Sequence, residues 1–399
     1  MDVVQRIQSF NAGRDPERLQ LKYRAMRKGP FAFLRGTCHL FHERLPSGGV
    51  LASLPRVWVC GDLHLENFGS YKADNRLVYF DVNDFEEAVL APASRDLVRL
   101  LASVRVGAES VGLPSARAGQ LCRTLLGAYA AALAAGEALW VERETAQGLI
   151  RGLLDGLRDR SRPAFLDERT SLRGKKRLLR VDGKKALAAS AAQRAEVNAF
   201  MQQFAAAQPE PDFFEVIDVA RRVAGTGSLG VDRYVILVRG RGSPDGNYLL
   251  DLKQTLASAL LPRIEVPQPR WQTEAQRVVA LQRRLQAVSM AFLQPVQLGG
   301  RPYVLRGLQP SEDRIKLTRG GQTPTELEAL METLGRLVAW AQLRSAGREG
   351  SAIADELIAF GQNGGWQSAV LDAAREAAEQ VRMDSAVYDK AFDDGAFAG

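Results

Sequence analysis

Apolar and polar positions follow two different periods along this chain, and the changes between them predict its elements. Two short runs of β-branched and aromatic residues, RVWVC (56–60) and RLVYFDV (76–82), predict buried strands on either side of a loop. The period then becomes that of an amphipathic helix, with apolar side chains at i, i+3, i+4 and i+7: Leu97, Leu100, Leu101 and Val104. Helical sequence rich in alanine continues to about residue 207, and Pro209 and Pro211 mark its end.

Strand sequence dominates the region after these prolines. VARRVAGTGSLGVDRYVILVRG (219–240) and YLLDLKQ (248–254) flank the turn SPDGN, whose Asp-Gly pair predicts a hairpin. Further segments follow as a helix (271–294), a strand (301–308) and two helices (324–346 and 351–382). The pattern predicts an α+β protein divided into four regions: a lead-in segment (1–56), a helical lobe (57–210), a β-rich lobe (211–308) and helices returning to the large lobe (309–399).

Charge and composition restrict the classes of partner. The 399-residue chain carries a net charge of +7, which favours an anionic partner. No charge-free stretch approaches the roughly 20 apolar residues that a membrane span needs, and the first residues lack the apolar core of a signal peptide. We therefore expect a cytoplasmic protein without a membrane partner. Its three cysteines have no C-x-x-C spacing, which favours reduced thiols over a zinc site.

The basic charge is concentrated in the stretch RTSLRGKKRLLRVDGKK (169–185). This stretch contains no aromatic side chain on which a base could stack. A solvated basic loop is the favoured interpretation, and a nucleic-acid-binding module is the alternative, which a steep salt dependence of binding would support.

The loop CGDLHLENFG (60–69) carries the first candidate chemistry. Transfer of a phosphoryl group requires a group that orients the attacking hydroxyl and ligands that hold Mg²⁺ on the phosphates. Asp62 would accept the hydroxyl proton, and Asn67, five residues later, would supply an oxygen to the metal, at the spacing of a kinase catalytic loop. An Asp and an Asn that only satisfy a turn are one alternative. A metallophosphoesterase using Asp62 and His64 is another, but that chemistry needs more histidines than the two that remain, His39 and His42.

A second metal ligand is expected where the next strand ends, in FDVNDFEE (80–87). Asp84 followed by an aromatic residue resembles the Asp-Phe-Gly step of kinases, with Glu86 in the place of glycine. Asp81 is the competing candidate. The Asp96 carboxylate, twelve residues after Asp84, is predicted to be structural and to cap the following helix.

A phosphate-covering loop is predicted at GTGSLG (225–230), a G-x-G-x-x-G motif formed by Gly225, Gly227 and Gly230 with Thr226 and Ser228 between them. The motif leads into a strand rather than a helix, as a kinase glycine-rich loop does. Lys253 lies within an apolar strand, where a lysine is costly unless it meets an anion, although a lysine extending to the sheet edge is the alternative. Glu274, at the start of the next helix, is the predicted partner of Lys253, with Glu265 as a competitor.

Together these residues resemble the protein-kinase-like superfamily, and within it the aminoglycoside phosphotransferase branch with its His-Gly-Asp-x-His-x-x-Asn loop. The segments GPFAFLRG, GDLHLENFG, FDVNDFEEA, RDLVRL, VAGTGSLG and LLDLKQTLASAL are similar to those of a bacterial domain-of-unknown-function family in that superfamily, over about residues 24–346. The chain departs from these patterns at three positions: Cys60 replaces the first His, Gln254 replaces a Glu, and Gln342 replaces a His.

The resemblance implies a bilobal protein-kinase-like fold with ATP and Mg²⁺ between the lobes, and a hydroxyl-bearing acceptor whose identity it does not supply. The strand and loop at 303–309 would contact the adenine. The glycine-rich loop and Lys253 follow the catalytic loop in this chain, whereas kinases have the opposite order, so the fold is expected to be circularly permuted. A nucleotide-binding pseudokinase and a nucleotidyl transferase remain the alternatives.

Overall fold

The computed structural model describes residues 2–46, 48–310 and 313–397. Helices occupy both ends of the chain and much of its first half. The helices are α1 (Val3–Asn11), α2 (Pro16–Met26), α3 (Pro30–Gly36), α4 (Cys38–Arg44), α5 (Val50–Ser53), α6 (Ser94–Ser110), α7 (Ser115–Ala135), α8 (Gly148–Arg158), α9 (Arg162–Asp167), α10 (Ala191–Ala206), α11 (Glu274–Leu285), α12 (Pro324–Arg344), α13 (Ala354–Gln362) and α14 (Gln367–Asp393).

Strands form several small sheets, so the predicted α+β class is confirmed. The strands are β1 (Arg56–Val59), β2 (Phe68–Lys72), β3 (Val78–Val82), β4 (Val89–Pro92), β5 (Val141–Glu142), β6 (Thr170–Arg173), β7 (Lys176–Leu179), β8 (Ala186–Ala188), β9 (Val216–Arg222), β10 (Arg233–Val238), β11 (Tyr248–Gln254), β12 (Gln294–Leu298) and β13 (Arg301–Gly307).

The largest sheet is antiparallel and has six strands in the order β12-β13-β11-β10-β9-β8. Its central strand β10 is buried along its whole length, which explains why its sequence is a continuous apolar run rather than an alternating one. Helix α10 packs on one face of this sheet, and α9 with β7 packs on part of the other face. Helix α11 joins β11 to β12.

A second, larger core is formed by the helices at the two ends of the chain and by the short sheets β1-β4 and β2-β3-β5. Helices α7 and α12 lie close together because Gly335 has no side chain: a Cβ there would overlap the Leu125 carbonyl oxygen. The N-terminal helices are tied to α14 by the Arg44 Nη2 to Asp384 Oδ1 ion pair (2.8 Å) and by the Tyr388 hydroxyl, which donates to the Tyr23 carbonyl (2.8 Å).

Several predicted elements differ from the structure. The single helix expected over 351–382 is two helices, α13 and α14, and α14 continues to Asp393. The helix expected over 271–294 ends at Leu285, because the next residues are held by β3: Gln286 Nε2 donates to the Val82 carbonyl oxygen (2.7 Å). The basic stretch 169–185 is not a loop throughout, since β6 and β7 form a hairpin within it. Strand β8 and helix α10 lie in the segment that the sequence assigned to the helical lobe. In the structure β8 is an edge strand of the six-stranded sheet, and α10 packs on a face of that sheet.

Within the residues that the structure describes, no helix is both long enough and apolar enough to span a bilayer.

Candidate active site

Three segments from two distant parts of the chain meet around one cavity of about 150 Å³, between the six-stranded sheet and the helical core. The segments are the loop after β1, the loop after β3, and the glycine-rich loop (residues 225–230) between β9 and β10. Most of the predicted site residues line this cavity: Asp62, Asn67, Asp84, Gly225, Thr226, Gly227 and Ser228. Lys253 lies beside it, in ion-pair contact with the lining residue Glu86.

The loop after β1 is held by buried groups on α4 and α6. The Asp96 carboxylate accepts hydrogen bonds from the backbone N–H of Cys60 (2.7 Å) and of Gly61 (2.9 Å). His42 Nε2 lies 2.7 Å from the Gly61 carbonyl oxygen, and burial lowers the pKa of His42 well below its usual value, so the neutral ring donates this bond. Gly61 has a positive φ of 79°, and a Cβ there would overlap the Glu87 carbonyl.

Asp96 was expected to cap α6, and that prediction is wrong. Its carboxylate lies in the first turn of the helix but binds the loop backbone instead, because the loop passes directly over the helix start. Burial raises the pKa of Asp96 to about 7, although the two N–H donors oppose this shift. The residue is therefore structural, as predicted, through a different contact.

Asp62 presents its two carboxylate oxygens to different surroundings. Oδ1 accepts hydrogen bonds from the guanidinium of Arg99, including one from Nε at 2.8 Å. Oδ2 faces the glycine-rich loop: a Cβ built on Gly227 would lie 3.7 Å from it. Burial raises the pKa of Asp62, and the charge of Arg99 opposes that rise. One oxygen is thus fixed by Arg99, and the other is directed at the cavity.

A backbone hydrogen bond joins the loop that carries Asn67 to the loop that carries Asp84. The Asn67 carbonyl accepts from the Asn83 N–H (2.8 Å), and Asn67 Nδ2 donates to the Asp62 carbonyl (2.6 Å). Because the amide nitrogen of Asn67 is engaged, its oxygen is the atom left for a ligand. Asp84 reaches the cavity from the following loop.

The competing candidate Asp81 has structural partners. Its Oδ2 lies 3.2 Å from Arg344 Nη2 and accepts from the Ala287 N–H (3.3 Å), and Asp81 does not line the cavity. The alternation of side chains along β3 explains this result, since Asp81 is within the strand and Asp84 is beyond its end.

The metallophosphoesterase alternative receives no support from the geometry. His64 lines the cavity, but its Nδ1 accepts from the Glu66 N–H (3.1 Å). Among residues 2–46, 48–310 and 313–397, no group of three or more His, Cys, Asp and Glu side chains is arranged to hold a metal ion. A metal held by one or two protein carboxylates together with substrate phosphates, as Mg²⁺ usually is, does not require such a group.

The glycine-rich loop is held by the N-terminal helices, which the sequence did not predict. Lys22 is fully buried, and its Nζ donates to the Gly227 carbonyl (2.9 Å) and to Asn11 Oδ1 (2.8 Å). Arg14 Nη1 donates to the same Gly227 carbonyl (3.0 Å), and Arg18 Nη1 donates to the Val231 carbonyl (3.0 Å). Among the described residues no partner is found for the backbone N–H groups of the central turn, Thr226 to Ser228. Arg14 and Lys22 thus hold the Gly227 carbonyl, and the backbone N–H groups of the turn remain for an anion.

Lys253 has a different partner from the predicted one. Its Nζ forms an ion pair with Glu86 of the loop after β3. Glu274 is not available to Lys253, because it accepts a hydrogen bond from Arg277 Nε (2.6 Å) one turn along α11. Burial lowers the pKa of Lys253 to about 8, and the nearby charge of Asp84 opposes that shift. The predicted Lys253–Glu274 pair is therefore absent, and the predicted distance between the side chains of Lys253 and Asp84 stays a prediction.

The two glutamines that differ from the pattern of the resembled family lie in different parts of the fold. Gln254 lines the cavity, directly after Lys253. Gln342 is buried between α7 and α12, where its Oε1 accepts from the Tyr129 hydroxyl (2.6 Å). Only Gln254 is therefore in a position to affect a ligand in the cavity.

The end of α12 lies next to β1, as the sequence predicted for a permuted chain. After Arg344 the chain turns, and the Ala352 N–H donates to the Arg56 carbonyl (2.7 Å). Trp58 Nε1 donates to the Arg348 carbonyl (3.1 Å). The segment after α12 thus contacts β1, the strand that precedes the loop CGDLHLENFG.

The sequence did not predict two further residues of the cavity, because nothing in their local sequence distinguishes them. Arg35 and Arg314 line the cavity, and the buried Nε of each has no hydrogen-bond partner among the described residues. Arg35 Nη1 also forms an ion pair with Glu66 (2.6 Å). Single arginines at helix ends and in loops are common, so only the fold identifies these two as residues that line one cavity.

Comparison with known proteins identifies one related family. A family model described as "Uncharacterized protein conserved in bacteria (DUF2252)" matches residues 14–391. No curated protein and no solved structure matches the chain. The family match includes every cavity-lining residue discussed above.

Proposed function

The chain belongs to this bacterial family, and we propose that it is an ATP- and Mg²⁺-dependent phosphotransferase with a kinase-like fold in circularly permuted order. The observation that carries the proposal is the convergence of Asp62, Asn67 and Asp84 with the glycine-rich loop on one cavity, although about 160 residues separate them along the chain. Two unrelated domains with accidental motifs would have no reason to bring them together.

The surroundings of the cavity fit a phosphate-bearing ligand. Its lining combines the glycine-rich loop with the cationic side chains of Arg14, Arg35 and Arg314. Guanidinium groups form strong, charge-assisted hydrogen bonds with phosphate oxygens. Asn67 and Asp84 supply the oxygen ligands that Mg²⁺ prefers. When bound, the metal would neutralise charge on the phosphates, and ATP would supply the transferred group.

Each protein group has a role that follows from its contacts. Asp62 would accept the proton of the acceptor hydroxyl at Oδ2, since Arg99 holds Oδ1 and thereby fixes the orientation of the carboxylate. Lys253 would exchange its partner Glu86 for a phosphate oxygen. The N-terminal helices would keep the loop N–H groups directed at the ligand through Lys22 and Arg14.

The order of the elements supports the permutation. A glycine-rich turn joins the neighbouring strands β9 and β10, the lysine lies on the next strand β11, and helix α11 follows, an order that resembles the small lobe of a kinase. Helix α12 then leads to β1 in space, where an unpermuted chain would continue. A cut at such a surface connection is tolerated when the joined ends lie close together.

One observation favours a second candidate, a nucleotidyl transferase or a nucleotide-binding protein without turnover. Lys253 is neutralised by Glu86, which follows Asp84, rather than by an acid on α11. This pairing leaves the position of the donor phosphates less constrained than in a kinase, where the helix acid holds the lysine in place.

The products of slow ATP hydrolysis distinguish these possibilities, because water replaces the acceptor whose identity is open. We expect the full chain with Mg²⁺ and ATP to release ADP and phosphate, measured by phosphorus NMR over hours. Release of AMP and pyrophosphate would instead support the nucleotidyl transferase. Hydrolysis no faster than that of a D62N variant would contradict both catalytic proposals.

A further inference from the structure

A second cavity, of about 210 Å³, lies between the six-stranded sheet and other parts of the chain. It is bounded by the start of β11 and the end of β13, by strand β2, by the connection after α11, and by helices α8 and α9. Gly307, Leu308 and Gln309, which belong to the segment predicted to contact adenine, line this cavity and not the main one. Among the described residues, the two cavities share no lining residue.

Backbone pairing separates the two cavities. The Ser70 N–H donates to the Asp313 carbonyl (3.0 Å), and Gly69 pairs with Arg314. Arg314 lines the main cavity, whereas Asp313 and Ser70 line the second one. Gly69 allows this close approach, since a Cβ there would lie 2.5 Å from the Asp313 carbonyl oxygen. The chain itself therefore forms a wall between the two cavities.

A buried ion pair separates the cavities on the side of the sheet. Side chains alternate along β11, so Leu249, Asp251 and Lys253 point to the same face. Leu249 lines the second cavity, whereas Lys253 lies beside the main one. Asp251, between them, is completely buried and accepts from Arg233 Nε (2.8 Å) and Arg233 Nη2 (2.6 Å). A ligand in the second cavity would therefore meet different groups from those of the proposed phosphate site.

Much of the lining of the second cavity is apolar, which suits the ring of a small molecule. The rings of Tyr71, Phe165 and Tyr248 contribute to it, together with aliphatic side chains such as Leu157 and Met290. An apolar cavity of about 150 Å³ can hold benzene. At about 210 Å³, this cavity has room for one ring with a substituent.

One hydroxyl group of this lining remains for a ligand. The Tyr248 hydroxyl has no hydrogen-bond partner among the described residues, whereas the Tyr71 hydroxyl donates to the Val288 carbonyl (2.8 Å). The acidic residue of the described lining, Asp313, is held by Arg160 through two hydrogen bonds (2.9 and 2.7 Å). The carboxylate of Asp313 is thus already neutralised and does not oppose the binding of an anion.

Positive charge is concentrated beside the Tyr248 ring. The Arg162 guanidinium lies over this ring, 5.4 Å from its centroid, and both Arg162 and Lys72 line the cavity. Partial burial lowers the pKa of Lys72, and the charges of Arg162, Arg76 and Arg241 lower it further. In the part of the chain that the structure describes, none of these four side chains forms an ion pair. A cluster of one sign of charge attracts a counter-ion, so the structure favours an anion at this place.

We propose that the second cavity binds a small aromatic ligand that carries a phosphate group. The ring would lie among the apolar side chains, and the phosphate would lie against Lys72, Arg162 and the Tyr248 hydroxyl. A phosphate monoester is favoured over a carboxylate because it carries about two negative charges at neutral pH, and four cations share this place. This site goes beyond the proposed function, since its ligand takes no part in the transfer reaction.

The methyl group of Met290 reports on this site, because Met290 lines the second cavity and not the main one. The experiment is an NMR titration of the full chain, labelled with ¹³C at its methionine methyl groups, and the variant M290L assigns the signal. The probes are phenyl phosphate, benzoate and inorganic phosphate. We expect phenyl phosphate to shift the Met290 signal and to bind at least about tenfold more tightly than either of the other two probes.

Two charge reversals on different elements test the position of the phosphate. The variants R162E on α9 and K72E on β2 should each weaken phenyl phosphate by about tenfold or more, since each replaces an attractive charge by a repulsive one. The matched control R375E makes the same change on α14, at a side chain that is 63% exposed, and should bind as the wild type does.

Three results would contradict this site. They are a Met290 signal that does not move with millimolar phenyl phosphate, equally tight binding of benzoate or inorganic phosphate, and wild-type affinity in both R162E and K72E. A shift of Met290 by Mg²⁺ and ATP would show that the cavity holds the base of the nucleotide. The inference of a separate site would then be wrong, and the phosphotransferase proposal would stand. Failure of ATP hydrolysis would leave the phenyl phosphate titration unaffected.

Discussion

Replacement of Asp62 by asparagine should lower ATP turnover by about 10²–10⁴-fold, the usual contribution of a general base, and leave the affinity for Mg²⁺ and ATP close to that of the wild type. The amide retains an oxygen for Arg99 but cannot accept a proton from a hydroxyl or a water molecule. We expect affinity to be preserved because the proposed role of Asp62 is to contact the acceptor hydroxyl, whereas the proposed phosphate contacts are the N–H groups of the glycine-rich loop and Lys253. Turnover is measured as phosphate release, and affinity by calorimetry.

A matched control is D372N, which makes the same change at a surface carboxylate whose side chain is 64% exposed. It should leave turnover and affinity unchanged. If D62N turned over ATP at the wild-type rate, Asp62 would have no role as the base. If D62N lost nucleotide binding together with turnover, the residue would be part of the phosphate site instead.

Replacement of Asp251 by asparagine should lower the free energy of unfolding by about 3–5 kcal/mol, because it removes the counter-charge of Arg222, Arg233 and Arg306, the first two of which are buried. The measurement is urea denaturation followed by circular dichroism. The control D212N changes a carboxylate that is 88% exposed and pairs with Arg239, so its cost should be about 0–1 kcal/mol. Equal stability of the two variants would show that the network is not held together by Asp251.

The same network predicts how stability depends on pH. The surrounding guanidinium groups, Arg222 first among them, hold the pKa of Asp251 far below its usual value against the effect of burial. A carboxyl whose folded-state pKa is depressed stabilises the fold above its unfolded-state pKa, about 4, and loses that contribution as the pH falls further. The wild type should therefore lose stability more steeply than D251N below about pH 4, and parallel curves would contradict this assignment.

The candidate catalytic residues could be predicted because their chemistry is encoded at short range. Asp62 and Asn67 lie in one loop, and Asp84 follows the next strand, so residue type and spacing indicated a shared role before any contact was known. Lys253 was recognisable as a cation in an apolar strand. Asp251, two residues earlier in YLLDLKQ, is likewise a charged residue in an apolar strand. The same cost of burial would have predicted cationic partners for it.

The contacts that could not be predicted join residues far apart in sequence. Lys22 and Arg14 hold a loop about 200 residues later, and nothing in their local sequence differs from an ordinary solvated helix face. The partner of Lys253 was assigned to Glu274 by position on a helix, yet Arg277 takes that acid, and Glu86 approaches from another segment. Local spacing limits which acids are candidates, but the packing of the loops decides between them.

The most direct test of the central claim is the melting temperature of the full chain with Mg²⁺ and ATP, for the wild type and for D84N. A ligand that binds only the folded state adds about 2.7 kcal/mol of stability at a hundredfold excess over its dissociation constant. We predict a rise in the wild-type melting temperature that requires both Mg²⁺ and ATP, and a much smaller rise in D84N, which lacks the carboxylate that we propose as a metal ligand. A wild-type melting temperature that does not change with millimolar ATP and Mg²⁺ would contradict the assignment of this cleft as a phosphate-donor site.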